Sequence, residues 1–285
     1  MHPRSTSVAL FSLALAALCS PLPAAFQDHI GLQLWSIRAQ FEKDANIGLD
    51  LVKKLGITEV ETAGTANLTA EQFRAALDAR GLKAVSAHVQ FAAMEKDIAG
   101  VVRSVETLGA KYAICPWIPH QGAFDAATVK RAAENFNTWG AAFRGAGIKF
   151  GYHPHGYEFV PGETAGTTRF DELVAATDPR NVSFQLDVFW AYIAGGDPVK
   201  LIEKYGSRWV SLHVKDVRPG AARAAGTSKA PATDNVPVGS GEIDWKAVLA
   251  AAQKAGVQHY IIEDETSAPV DNIPVSAAYL RGLKL

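Results

Sequence analysis

The chain is poor in cysteine and has no excess of charge of either sign. Its 285 residues include only two cysteines, Cys19 and Cys115, which excludes a small scaffold held together by several disulfides. Lys and Arg number 28 against 29 Asp and Glu, which gives a net charge of −1. Proteins that bind the phosphate backbone usually carry a basic excess, so this balance argues against nucleic acid as a partner.

Long hydrophobic runs are also scarce. The apolar run Val8–Leu18 follows Arg4 and precedes the small residues Ala24 and Ala25. This run is too short to span a bilayer, but the layout is that of a secretory signal peptide. We therefore expect residues 1–25 to be removed. We also expect the mature protein to be exported to the periplasm or the extracellular space and to have no membrane association after cleavage.

From residue 26 onward, eight short apolar runs alternate with amphipathic segments, without a break in composition. This pattern predicts an α/β protein, a (β/α)8 TIM barrel that forms a single domain over residues 26–285. An open, doubly wound sheet is the alternative, but no glycine-rich phosphate loop follows the first predicted strand. The predicted strands are Ile30–Trp35, Ile57–Glu61, Lys83–His88, Lys111–Cys115, Lys149–His153, Val182–Asp187, Trp209–Val214 and His259–Glu263.

One long irregular segment, residues 216–241, follows the seventh predicted strand and is rich in Ala, Gly, Pro and Ser. Long βα loops on compact domains commonly serve as lids or binding loops. We expect this segment to lie over the carboxyl ends of the strands.

In a parallel barrel the carboxyl ends of the strands surround one mouth, where active sites lie. Six of the eight predicted strands end in, or run into, acidic or imidazole side chains. Three acids and one imidazole among them have the composition of a divalent-metal site. These are Glu158, Asp187, His213 and Glu263. We predict that they converge on one cation, although each acid by itself would also be explained by a helix cap or an ion pair.

Motifs along almost the whole mature chain resemble the xylose-isomerase-like TIM-barrel superfamily of sugar phosphate isomerases and epimerases, in particular an exported branch. They are QLWSIR (33–38), VE (60–61), SAH (86–88), YHPHGYEF (152–159), QLDVFW (185–190), LHVKD (212–216), GSGEIDW (239–245) and IIEDE (261–265). The resemblance implies a TIM barrel whose metal ligands occupy the same four positions.

The resemblance also implies a reaction. A divalent metal, Mn²⁺ with Co²⁺, Mg²⁺ or Zn²⁺ as alternatives, would bind a sugar or keto-sugar, and the reaction would pass through a metal-bound enediolate. Glu158 and Glu263 would remove and return the proton as an isomerase or epimerase requires. The substrate-binding residues would be His88, His155, Lys215, Trp35, Trp190 and Glu61.

Two positions depart from the pattern of the ketose 3-epimerases in this superfamily. Trp190 and Pro219 stand where those enzymes carry a histidine and an arginine, so we expect a substrate without phosphate. The same proton abstraction would also serve a lyase or dehydratase acting on a 3-keto-glycoside or an inosose. A sugar-binding barrel without catalysis is the alternative of a different class.

Overall fold

The computed structural model of the protein describes residues 25–285. The predicted signal peptide lies outside the described residues except for Ala25. The strands are β1 (Ile30–Gln33), β2 (Glu59–Thr62), β3 (Lys83–His88), β4 (Tyr112–Cys115), β5 (Lys149–Tyr152), β6 (Val182–Asp187), β7 (Trp209–Val214), β8 (Asp216–Val217), β9 (Asn235–Val236) and β10 (His259–Ile262).

Eight of these strands close into a parallel barrel in the order β1, β10, β7, β6, β5, β4, β3, β2. Each matches a predicted strand to within two residues at either end. The predicted TIM barrel is therefore confirmed, and β10 is its eighth strand.

Helices follow the barrel strands and cover the outside of the barrel. They are α1 (Arg38–Phe41), α2 (Ala45–Lys54), α3 (Ala70–Asp78), α4 (Phe91–Leu108), α5 (Ala126–Gly145), α6 (Arg169–Ala176), α7 (Val188–Ile193), α8 (Pro198–Tyr205), α9 (Trp245–Ala255) and α10 (Pro269–Gly282). Within residues 25–285, none of the helices combines the length and the hydrophobicity that crossing a membrane requires.

Most of the apolar core lies between the strands and the helices rather than inside the barrel. Phe170 of α6 stacks on Trp209 of β7 with ring centroids 5.6 Å apart, and Phe143 of α5 stacks on Phe150 of β5 at 5.7 Å. The opposite faces of the strands instead carry buried polar side chains, where barrels of this type commonly carry Val, Ile and Leu. These are Gln33, Glu61, Ser86, Gln185, Ser211 and His213.

Residues 216–241 lie at the carboxyl ends of the barrel strands, as predicted. The ribbon of β8 and β9 is antiparallel, and the backbone N–H of Ala224 donates to the carbonyl of Ile193, which ends α7 after β6. The Asn235 side chain accepts a hydrogen bond of 2.8 Å from the backbone N–H of Glu265, which follows β10. The segment is thus tied to the loops that surround the mouth.

A single buried carboxylate, that of Asp216, holds the two ends of this segment together. Its Oδ2 accepts hydrogen bonds from the backbone N–H groups of Gly239 and Gly241 and from the indole of Trp245. Its Oδ1 accepts from the backbone N–H groups of Val217 and Ile243.

Replacing Asp216 with Asn should destabilise the fold, because one amide oxygen cannot accept five donors and the new amide N–H groups oppose some of them. We expect the free energy of unfolding to fall by about 2–4 kcal/mol, measured by urea denaturation. Asp271→Asn, at an exposed position, is the control and should change it by less than about 0.5 kcal/mol. Equal effects of the two substitutions would contradict the role given to Asp216.

Candidate metal centre at the carboxyl end of the barrel

Three of the four predicted metal ligands lie together at the mouth. Asp187 ends β6, His213 lies near the end of β7 and Glu263 directly follows β10. They can offer ligand atoms that all lie within 4.8 Å of one another. The Nδ1 atom of His213 is 3.3 Å from Oε2 of Glu263 and 3.8 Å from Oδ2 of Asp187. All three side chains are buried.

The Oδ2 atom of Asp187 is buried and has no hydrogen-bond partner among the described residues. Its Oδ1 accepts from the backbone N–H of Trp190 at 2.8 Å. A buried carboxylate oxygen without a donor is costly, and a cation at this point would remove the cost. Two carboxylates and an imidazole are a common donor set for divalent cations, so the residues present fit a metal ion.

Glu158, the fourth predicted ligand, does not belong to this group. It lies in the turn after β5, where its carboxylate accepts hydrogen bonds from the Tyr152 hydroxyl and from the backbone N–H groups of His155 and Gly156. Burial raises its pKa to about 7, against the opposing effect of these donors. The carboxylate therefore stabilises its own loop.

His153, which the sequence reasoning did not select, supplies a side chain to the cluster from β5. Its Nε2 is 3.8 Å from Oδ2 of Asp187, and it can offer a ligand atom within 4.8 Å of those of His88 and His213. Its Nδ1 donates to Oε1 of Gln185 at 2.8 Å, which leaves Nε2 as the atom facing the cluster. Burial, together with the other histidines, lowers the pKa of His153 well below its usual range, so the imidazole is neutral.

The structure places Glu61 below the mouth rather than on its surface. Its Oε1 accepts from Gln33 at 2.7 Å and lies 2.6 Å from Nε2 of His213. Its Oε2 accepts from Ser86 and from Gln185. Glu61 is fully buried with both oxygens occupied, so it positions His213 rather than touching a substrate. A carboxylate behind a metal-binding imidazole fixes the ring orientation and its tautomer.

The pKa of each ionisable group in the cluster depends on the charges of its neighbours. Burial raises the pKa of Glu263, but the neighbouring Lys215 and His213 outweigh it and hold that pKa well below its usual range. Burial lowers the pKa of His213, but Glu263 and Glu61 outweigh it and raise that pKa to about 10. For Asp187 burial dominates and raises the pKa to about 6.

Lys215 forms one wall of the mouth. Its Nζ lies 3.4 Å from Oε2 of Glu263 and also bonds to Glu265. The ammonium group stands 4.9 Å above the ring of Phe189 and 5.2 Å above that of Trp190, in cation–π contact. The side chain is buried, so its charge is held at a fixed point beside Glu263.

The other predicted substrate-binding residues surround the cluster. His88 stacks on His213 with ring centroids 5.5 Å apart. His155 contacts Trp190 with ring centroids 6.1 Å apart, and its buried Nδ1 has no hydrogen-bond partner among the described residues. The indole of Trp35 is 46% exposed and donates to Glu265 at 3.2 Å.

Comparison with known proteins agrees with this architecture. The sequence profile of the family described as a xylose isomerase-like TIM barrel matches residues 49–283. An inosose dehydratase of Lacticaseibacillus casei is 29% identical over 158 residues, which cover 52% of this chain and 51% of that protein. One from Salmonella typhimurium is 31% identical over 127 residues, covering 41% and 40%. The chain thus spans about half or less of the length of these curated relatives.

Solved structures match over more of the chain. A sugar phosphate isomerase/epimerase from Parabacteroides distasonis is 25% identical, covers 94% of this chain and 98% of its own, and gives a TM-score of 0.73. The IolI protein, whose structure holds a zinc atom, is 16% identical, covers 89% and 96%, and gives a TM-score of 0.68. At that identity the second likeness shows the fold alone.

The two candidate ligands from β5 and the turn after it can be separated by substitution. We expect His153→Gln to weaken Zn²⁺ or Co²⁺ binding at the mouth by about 100-fold or more, because it removes an imidazole that faces Asp187. Glu158→Gln is the matched control and should change affinity far less, since its carboxylate serves the loop. Isothermal titration calorimetry on chelator-treated protein measures both. A larger loss of metal affinity in Glu158→Gln than in His153→Gln would identify Glu158 as the ligand.

Proposed function

The chain belongs to the xylose isomerase-like TIM-barrel family, and we propose that it is a divalent-metal-dependent enzyme acting on an unphosphorylated keto-sugar or cyclic keto-polyol. It would remove a proton from the carbon next to the ketone. The observation that supports this most is the unpartnered Oδ2 of Asp187, buried among His153, His213 and Glu263 at the mouth.

The four side chains His153, Asp187, His213 and Glu263 would hold the cation. When bound, the cation supplies Lewis-acid stabilisation of negative charge on a substrate oxygen. Mn²⁺ is the metal expected from the sequence, and zinc is the metal in the IolI structure. Imidazole and carboxylate ligands are compatible with both.

Glu263 is the best-placed proton acceptor. It is less buried than Asp187, the other carboxylate in the centre of the mouth, at 8% exposure against 0%. Lys215, 3.4 Å away, keeps it ionised and offers N–H donors to a substrate oxygen on the same side. Glu158 is fully buried within its own loop. We therefore assign the proton transfer predicted for Glu158 to Glu263, which lies at the mouth.

His155 is a candidate for binding a substrate oxygen. Its unpartnered Nδ1 leaves one ring nitrogen without a role in the fold. Burial lowers its pKa to about 3, so the imidazole is neutral and would orient a substrate oxygen by hydrogen bonding rather than carry a proton. In elimination, the proton that Glu263 removes would be delivered to the departing hydroxyl, and in isomerisation the same proton would be returned to carbon.

Two outcomes are possible after the shared first step. The likeness to inosose dehydratases favours elimination, in which the hydroxyl on the next carbon leaves as water. The likeness to the P. distasonis isomerase/epimerase, which extends over almost the whole chain, favours return of the proton without loss of mass. We place elimination first because several curated relatives carry that activity. Export of the protein, expected from residues 1–25, is part of this proposal and fits a substrate without phosphate.

The proposal predicts exchange of hydrogen at the carbon next to the ketone. In the presence of Mn²⁺, Zn²⁺ or Co²⁺, we expect the protein to incorporate deuterium from D₂O into an inosose, a ketose or a 3-keto-glucoside. NMR measures this incorporation. Mass spectrometry separates the outcomes, because elimination gives a product lighter by one water or releases the aglycone. Glu263→Gln should slow the exchange by about 100-fold or more, since it removes the base.

Glu95→Gln, at a partly exposed position on α4, is the control and should leave exchange at the parental rate. Metal-loaded protein that binds these ketones but never exchanges their hydrogen would instead support a sugar-binding barrel without catalysis. A Glu263→Gln variant with the parental rate would assign the proton to another residue.

A further inference from the structure

A second group of metal-binding side chains lies at the opposite, amino-terminal end of the barrel. His29 immediately precedes β1, Glu59 begins β2 and His259 begins β10. These strands are direct neighbours, since β1 pairs with both β2 and β10. From His259 to Glu263 is four residues, or about 13 Å of extended strand, so this group is separate from the centre at the mouth.

The Glu59 carboxylate bridges the two imidazoles. Its Oε1 lies 3.2 Å from Nδ1 of His29, and its Oε2 lies 2.8 Å from Nδ1 of His259. The three side chains can offer ligand atoms that all lie within 4.8 Å of one another. In a tetrahedral site with metal–ligand bonds of about 2.0–2.1 Å, neighbouring ligand atoms are about 3.3 Å apart. The two observed nitrogen–oxygen separations, each to a different oxygen of Glu59, are near that value.

The chemistry of this group also suits a cation. Within residues 25–285, the ion-pair partners of Glu59 are these two histidines, and neither lysine nor arginine pairs with it. Burial raises the pKa of Glu59, but the histidines outweigh that effect and lower it, so the carboxylate is ionised. Two imidazoles and one carboxylate, with a fourth position open to water, form a known zinc ligand set.

The group is both rigid and accessible. His259 and Glu59 have side chains 13% and 14% exposed on barrel strands, whereas His29 is 35% exposed and borders solvent. The rings of His29 and His259 are nearly perpendicular, with centroids 5.5 Å apart. A surface depression lined by Phe26, Lys254 and Gln258 reaches both histidines and gives a path for entry.

We propose that His29, Glu59 and His259 form a second divalent-metal site at the amino-terminal end of the barrel, selective for Zn²⁺ and similar imidazole-binding ions. Each imidazole binds through Nδ1 as the tautomer that carries its proton on Nε2. The hydrogen bonds to Glu59 are exchanged for bonds to the cation. Nothing in this site depends on the reaction at the mouth.

The experiment counts zinc in tag-free protein that has been stripped with chelator and dialysed against buffered Zn²⁺, with detection by inductively coupled plasma mass spectrometry. Asp187→Ala removes the centre at the mouth and should leave one equivalent of zinc. Combining it with Glu59→Gln or His259→Gln should leave none. Asp187→Ala with His120→Gln is the matched control, because it removes an imidazole far from Glu59, and should keep one equivalent.

Cobalt gives a second readout independent of counting. Co²⁺ bound to the Asp187→Ala protein should show the intense visible absorption of a tetrahedral site, and His29→Gln should weaken or shift it. His29 is the most exposed ligand, so this variant tests the site even if Glu59→Gln does not fold. An Asp187→Ala protein that is folded but binds no zinc would overturn the proposal. The proposal would also be overturned if the Asp187→Ala protein kept one equivalent of zinc after the further substitutions Glu59→Gln and His29→Gln.

Discussion

The barrel is organised around one buried carboxylate, that of Glu61. It is fully buried and receives donors from strands on several sides of the barrel: Gln33 of β1, Ser86 of β3, Gln185 of β6 and His213 of β7. An ionised carboxylate in such a position is tolerated only when its lone pairs are satisfied, and here every lone-pair direction has a partner. The polar interior follows from this requirement, since apolar side chains at the same positions would leave the charge unpaired.

The same network sets the geometry of the mouth. Because Glu61 holds Nε2 of His213, the other nitrogen of that ring faces Asp187 and Glu263. Gln185 connects the buried Glu61 to the residues at the mouth. Its amide N–H donates to Glu61, while its amide oxygen accepts from Nδ1 of His153. Two imidazoles thus present defined nitrogens to the unpartnered oxygen of Asp187. Preorganisation of this kind comes from the backbone register of adjacent strands and needs no loop to close.

The barrel and most of the mouth could be predicted because strand ends in a parallel barrel must meet. Asp187, His213 and Glu263 were predicted in that way, and the structure places them together. His153 was not selected because the run from His153 to Glu158 offers three possible ligands, and only the point at which β5 ends decides which side chain faces the axis. Glu61 was predicted to bind substrate because sequence does not show how deep a strand residue lies. The proximity of His29 and His259 could not be predicted for another reason: their strands are adjacent in space but distant in the chain.

The unfavourable electrostatics of the mouth explain why a cation would bind there tightly. Four carboxylates, those of Glu61, Asp187, Glu263 and Glu265, lie around Lys215 and the histidines. Lys215 and the protonated His213 together cannot neutralise four carboxylates, and burial raises the pKa of Asp187. A dication at Oδ2 of Asp187 would supply the missing charge without displacing Lys215 from Glu263. A cation that binds only the folded state stabilises that state. Because the cation would also relieve the repulsion among the carboxylates of the metal-free protein, that repulsion increases the affinity of the folded protein for the metal.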